Sequence, residues 1–185
     1  DVGDEIRVNT TVSDSGGSGV ASVELDASGF GRSDPVILYD NDTDGTYNAT
    51  FTVGTETALS DGRIFPDITA TDGAGNDNTT RPTTGIILDT TPPEADIVAN
   101  RTTVEPGGVV EFNISGSTDP GSTPSGLADY RITSNGNFVG SGLFRPGTTA
   151  TNRYINTGTF TVEVTVSDFA GNADTDTVTV TVEDA

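Results

Sequence analysis

In Phe160-Thr161-Val162-Glu163-Val164-Thr165-Val166 every second side chain is apolar, and Val178-Thr179-Val180-Thr181-Val182 repeats the pattern. A period of two sends alternate side chains to opposite faces of an extended chain. One face is therefore buried and the other, rich in Thr, meets solvent. Helical periodicity is almost absent. Thr is the commonest residue, and its β-branch suits a pleated surface. Clusters of Gly, Asp, Asn and Pro break these runs roughly every 8–12 residues, the spacing of a β-sandwich.

The pattern occurs twice. Ala70-Thr71-Asp72-Gly73-Ala74-Gly75-Asn76 answers Val166-Ser167-Asp168-Phe169-Ala170-Gly171-Asn172, an offset of 166 − 70 = 96 residues. Upstream, Ile64, Ile68 and Ala70 answer Phe160, Val164 and Val166. Gly19-Val20 likewise answers Gly126-Leu127. A sandwich takes about 100 residues, so a 185-residue chain holds two domains, read as 1–90 and 91–185. The junction Asp89-Thr90-Thr91-Pro92-Pro93 reads as a short stiff linker, because the prolines hold the chain extended. The second domain offers an opening strand at Ala95–Ala99, the turn Glu105-Pro106-Gly107-Gly108, and a strand from Val109 to Ser115. The first goes from a similar turn at Asp1-Val2-Gly3-Asp4 directly into a strand over Glu5–Val12. Its opening strand is missing. The expectation is a chain cut from a longer array, or a strand supplied by a neighbour.

Charge narrows the setting. Eight basic residues, all Arg, face 28 acidic ones, giving −20. At molar salt the Debye length falls to about 3 Å and screens such repulsion. Dense carboxylates and the absence of Lys fit a halophile. A pI near 4.1 excludes the basic footprint of nucleic-acid binding and opposes anionic lipid. No apolar run reaches the length of a membrane helix, so direct membrane contact is not expected. No leader is visible at Asp1, which fits a processed or internal segment. With no Cys there is no disulfide framework.

Asp-x-x-Gly-Asn followed by a Thr-rich strand, with Asp-Thr-Thr-Pro-Pro between the halves, resembles the tandem immunoglobulin-like modules of prokaryotic surface proteins. Residues 105–183 resemble a PKD-type domain through Glu105-Pro106-Gly107-Gly108, Ser115-Gly116-Ser117-Thr118-Asp119-Pro120, Gly158-Thr159-Phe160-Thr161-Val162 and Val166–Asn172. Tyr130-Arg131-Ile132 stands where that family carries its central Trp-Asp-Phe-Gly-Asp-Gly motif. The first half is similar to bacterial immunoglobulin-like repeats through Val12-Ser13-Asp14, Gly19–Val23 and Gly45-Thr46-Tyr47. The resemblance implies an all-β fold of two tandem immunoglobulin-like antiparallel β-sandwiches. With the acidity, it implies a haloarchaeal surface-layer or cell-surface glycoprotein.

Chemistry on the chain is sparse. Without His or Cys, the usual general base, thiolate nucleophile and zinc ligands are gone, and no enzyme is expected. Calcium is the expected ligand. Asp40-Asn41-Asp42-Thr43-Asp44-Gly45 places carboxylates at loop positions 1, 3 and 5 and Gly at 6, but Phe51 stands where an EF-hand needs Glu. A hairpin turn between Val36–Tyr39 and Tyr47–Val53 accounts for the same residues and is preferred. Asp72 with Asn76, and Asp168 with Asn172, are turn-capping pairs that could also bind cations. Asp89 is a third cation candidate, near which loop acids such as Asp14 could fold. Six Asn-x-Ser/Thr sequons mark N-linked glycans: Asn9, Asn41, Asn48, Asn78, Asn100 and Asn113. Asn41, Asn78 and Asn100 read as loop positions. Asn9 and Asn113 read as outward on strands.

The leading reading is a glycosylated structural segment whose partners are neighbouring domains or copies of the same protein. The alternatives are an adhesin module that binds a glycan or protein, or an accessory domain of a secreted hydrolase. Sugar binding needs exposed rings; Trp is absent, and clustering of Tyr39, Tyr130 or Tyr154 decides the question.

Overall fold

The computed structural model describes residues 2–55 and 58–184. Two compact units divide the chain at Asp1–Leu88 and Asp89–Ala185. The division falls just ahead of Asp89, the first residue of the Asp89–Pro93 segment.

In the first domain β1 (Glu5–Thr11) pairs antiparallel with β4 (Thr46–Thr52). The facing sheet orders β3 (Val36–Ile37), β2 (Val20–Leu25), β6 (Ile68–Asp72) and β7 (Asp77–Thr80) as β3-β2-β6-β7. A further ribbon joins β5 (Gly62–Ile64) to β8 (Ile86–Leu88). Pro66 lies between β5 and β6, and Pro82 between β7 and β8. Proline has no N–H to give a ladder, so what would be one long hairpin is cut in two. Arg81 bridges the gap: its Nε and Nη2 donate to Asp67 Oδ1 and Oδ2 at 2.6 and 2.9 Å.

The core of this domain gathers Val23, Leu25, Phe30, Leu38 and Phe51. A single 3₁₀ turn, Ser28–Phe30, turns Phe30 inward, edge-on to Phe51 with centroids 5.5 Å apart. The hairpin expected between Val36–Tyr39 and Tyr47–Val53 does not form. β3 pairs with β2, β4 pairs with β1, and between the two segments the described backbone pairing is the isolated Tyr39–Asn48 bridge. The chain here crosses from one sheet to the other, so that Leu38 and Phe51 can both reach the core.

The second domain has β9 (Val98–Ala99), β10 (Thr103–Val104), β11 (Val109–Asn113), β12 (Leu127–Ser134), β13 (Asn137–Leu143), β14 (Thr149–Arg153), β15 (Gly158–Asp168) and β16 (Ala173–Val182). One sheet runs β10-β16-β15-β12-β13 and the other β14-β11-β9. The pairs are antiparallel apart from β10 with β16. The opening strand is therefore shared between sheets: β9 adds to β11, then β10 joins β16. Ahead of β9, Ala95 N and Ile97 N donate to the Asp174 and Asp176 carboxylates, both at 3.0 Å.

Alternation on β15 and β16 buries Val162, Val164, Val166 and Val180 completely while the Thr face meets solvent. They pack with Val110, Phe112, Ile114 and Ile132 in one cluster. The fold is thus two immunoglobulin-like β-sandwiches, as the resemblance implies, built on the strands that the periodicity predicts. One irregularity recurs: register shifts between Val20 and Ser22 against β6, and between Leu127 and Asp129 against β15. Such bulges re-aim a strand end. Here they set Val20 opposite Asp72 and Leu127 opposite Asp168.

Candidate cation site

Asp168 is the last inward-facing position of β15, in phase with Val162, Val164 and Val166, and it is 3% exposed. A carboxylate on the core side of a strand must find donors. The turn after it supplies them. Gly171 adopts φ +98°, which glycine does without strain. Asn172 can then fold back, its N donating to Asp168 Oδ1 and its Nδ2 to Oδ2, both at 2.9 Å. The Asn172 amide also donates to the carbonyls of Asp89 at 3.2 Å and Thr91 at 3.4 Å. The linker is thereby fastened to the hairpin.

Asp89 is 2% exposed. Its Oδ1 accepts from Thr91 N at 3.2 Å and its Oδ2 from Ser125 N at 2.7 Å. Asp119 comes from the loop before β12, and its Oδ2 accepts from Gly126 N at 2.5 Å. One carboxylate oxygen each from Asp89, Asp119 and Asp168 lies within 4.8 Å of the other two. Three carboxylates so close repel one another unless a cation or protons intervene. Hard cations such as calcium take oxygen ligands of this type, and these three residues could hold one. Of the sequence candidates Asp89, Asp168 and Asn172 meet here. Asp119 was missed, and so was the anchoring role of Ser125. The Asp-Pro pair at the end of Ser115–Pro120 is a turn signal only, and nothing local to it points across to β15.

In the first domain the same hairpin is built from Asp72. Ala74 N and Asn76 N donate to its Oδ1 at 2.9 and 2.8 Å, and Asn76 Nδ2 donates to Oδ2 at 2.8 Å. Asp14 is the first domain's counterpart of Asp119. Its Oδ2 accepts from Gly19 N at 2.8 Å and its Oδ1 from Gly16 N at 2.6 Å, and these amides hold its pKa below the ordinary value. Asp14, Asp72, Asn76 and Asp77 line a cleft of about 200 Å³.

The Asn76 side-chain and backbone donors lower the Asp72 pKa from 3.8 to about 2. A carboxylate whose folded pKa is depressed stabilises the fold above its unfolded pKa and loses that contribution as pH falls through the folded one. The first domain is therefore expected to lose stability between about pH 4 and pH 2. In Asp72→Asn the slope over that window is expected to flatten, read by urea unfolding at stepped pH.

Asp40, Asp42 and Asp44 also lie within mutual reach. Asp40 Oδ1 and Oδ2 accept from Asp44 N at 3.2 Å and Gly45 N at 3.0 Å, and Asp44 Oδ1 accepts from Thr46 N at 2.7 Å. They cap the turn where the chain changes sheets. Asn9, Asn41, Asn78, Asn100 and Asn113 are exposed and Asn48 is half-buried. Asn78 lies on β7, not in a loop. Asn100 and Asn113 engage neighbouring N–H groups through Oδ1. Of the tyrosines, Tyr154 is buried, Tyr130 is half-buried and Tyr39 is 61% exposed.

No family model matches the chain, and no curated protein matches it. Among solved structures it is similar to the fibronectin(III)-like modules of Clostridium thermocellum CbhA. That pair is 17% identical, covering 98% of this chain and 87% of the other, with a TM-score of 0.45. It is also similar to the PKD domain of the human VPS10 domain-containing receptor SorCS2, at 21% identity over 53% of this chain and 81% of the other, TM-score 0.37. The Escherichia coli adhesin FdeC is 20% identical over 98% of this chain and 59% of its own, with a TM-score of 0.34.

Proposed function

We propose that this chain is a non-catalytic spacer segment of an extracellular surface protein, glycosylated, cation-stabilised and suited to high salt. The observation that carries it is the linker fastened into the second domain. Asn172 Nδ2 donates to Asp89 O and Thr91 O, and Ser125 N donates to Asp89 Oδ2. A tether between independent binding modules has no need of such anchorage. A spacer benefits, because an immobilised linker sets where each module begins. The charge of −20 with no Lys supports a saline exterior, and the exposed sequons support N-linked glycans. The burial of Tyr154 and the half-burial of Tyr130 favour the spacer over a glycan-binding adhesin. Calcium held by Asp89, Asp119 and Asp168 would bind linker, loop and strand together.

The experiment is immunogold labelling of intact source cells with antibody raised to residues 1–185. Labelling of unbroken cells, with glycopeptides at Asn41 or Asn100 in the recovered protein, is the expected result. Label that appears only after lysis would overturn the reading.

A further inference from the structure

Tyr39 and Asn48 meet as an isolated antiparallel bridge, Tyr39 N donating to Asn48 O at 3.0 Å and Asn48 N to Tyr39 O at 2.9 Å. Opposed residues in such a pair stand about 5.5 Å apart at Cα, with their side chains on one face of the sheet. Alternation makes that face the outer one. Leu38, next to Tyr39, is buried, and so is Phe51, which falls on the opposite face of β4 from Asn48. Tyr39 stands out in water, while Tyr47, Tyr130 and Tyr154 are buried or half-buried.

The pairing stops at this bridge. Leu38 N turns away to Val23 O at 2.9 Å, and β3 joins β2. In the register of the bridge Ile37 comes level with Thr50 and Pro35 with Thr52, but Pro35 has no N–H to give a ladder. An open groove of about 490 Å³ takes the place of the missing rungs. Pro35, Ile37 and Tyr39 line it from one segment and Thr50 from the other, while Glu5 and Arg32 bring an acceptor and a donor. The sequon Asn48-Ala49-Thr50 runs along its lip. A period of two puts the Asn48 amide and the Thr50 hydroxyl on the same outer face. Asn9 lies opposite Asn48 on the other side, across β1, and residues 9–11 do not line the groove.

We infer that this groove is the seat of the glycan borne by Asn48. The saccharide lies against the exposed Tyr39 ring and Ile37, and its hydroxyl groups bond to Arg32 and Glu5. Sites for small ligands are concave and largely apolar with a few placed polar groups, and this groove has that make-up. A tyrosine ring offers an apolar face to sugar C–H groups and a polar tip to sugar hydroxyls. Tethering at Asn48 gives the saccharide a high effective concentration at the groove, so weak contacts suffice. The seated sugar fills the gap between β3 and β4, so the modification braces the first domain as well as coating it. The seat rests on the glycosylated-spacer reading for the presence of sugar.

The test is a double-mutant cycle of Tyr39→Ala and Asn48→Gln in chain produced by the source cells, read by urea unfolding of the first domain. Tyr39→Ala is expected to raise the unfolding equilibrium constant about fivefold more in the chain glycosylated at Asn48 than in Asn48→Gln. Thr50→Val removes the sequon hydroxyl and keeps its shape; it is expected to cancel the difference in the same way should Asn48→Gln not fold. Asn9→Gln is expected to preserve the difference. Nuclear Overhauser contacts between the Tyr39 ring and the Asn48-linked sugar are expected in the parent. Equal effects of Tyr39→Ala with and without that sugar would overturn the seat. So would a difference abolished by Asn9→Gln alone. Mass spectra showing Asn48 bare while Asn41 or Asn100 carries sugar would overturn the seat and leave the glycosylated reading. Coupling retained in a chain that is labelled only after lysis would remove the surface reading and leave the seat.

Discussion

Phe112→Ala is expected to destabilise the second domain by about 3–5 kcal/mol, the usual cost of emptying a fully buried aromatic site. Phe112 is 0% exposed and lies mid-strand on β11, opposite Ala150 on one side and Ala99 on the other. Both neighbours are small, so neither can fill the space. The ring packs in the cluster with Ile132, Val164 and Val180, whose strands are fixed by the longest ladders in the chain. A single domain holds roughly 5–15 kcal/mol in total. The loss is therefore a large share, about 4–8 °C of melting temperature per kcal/mol for a domain of this size. Calorimetry and urea unfolding read it directly. The corresponding change in the first domain, Val8→Ala, is expected to cost far less, because Val8 is already half-buried. Equal losses in the two domains would contradict the half-burial of Val8.

Calcium is expected to raise the melting temperature of the second domain strongly and leave the first nearly unmoved. A ligand that binds only the folded state at a hundred times its Kd adds about 2.7 kcal/mol, or roughly 10–20 °C here. The ion acts on Asp89, Asp119 and Asp168, which approach within 4.8 Å with two of the three buried. Asp119→Asn separates this from a merely structural role. The amide is isosteric and retains an acceptor for Gly126 N, while one negative charge is removed. In chelator the variant is expected to melt no lower than the parent, because repulsion is relieved. With calcium its shift is expected to be mostly lost. A variant that melts lower in chelator and still responds fully to calcium would remove the cation from these carboxylates.

Strand identity was legible because alternation is local. Val162, Val164 and Val166 announce one face of β15 without reference to anything else in the chain. The same phase places Asp168 and Asp72 on the core side, a signal available in the sequence but outweighed by the turn chemistry of Asp-x-x-Gly-Asn. Local reasoning failed at Val36–Tyr39. Two apolar runs around an Asp-rich turn look like a hairpin, yet the segments belong to different sheets. Turn residues state where the chain reverses, not which strand it meets next. Asn78 was misread for a related reason: Pro82 shortens β7 to four polar residues, and four exposed side chains carry no alternation.

The opening strand shows the division most clearly. The presence of an opening strand in the second half within Ala95–Ala99, and the repeat offset of 96 residues, were legible from composition and spacing. So was the junction near Asp89, because two prolines restrict the backbone whatever surrounds them. Tertiary structure alone decided that this strand splits between two sheets, that Asp119 meets Asp89 and Asp168, and that Asp14 is Asp119's counterpart. Those partners lie on separate loops, and sheet order joins loops through strand pairing across the whole domain. Periodicity is written in neighbouring residues; proximity of distant carboxylates is a product of the packed sandwich.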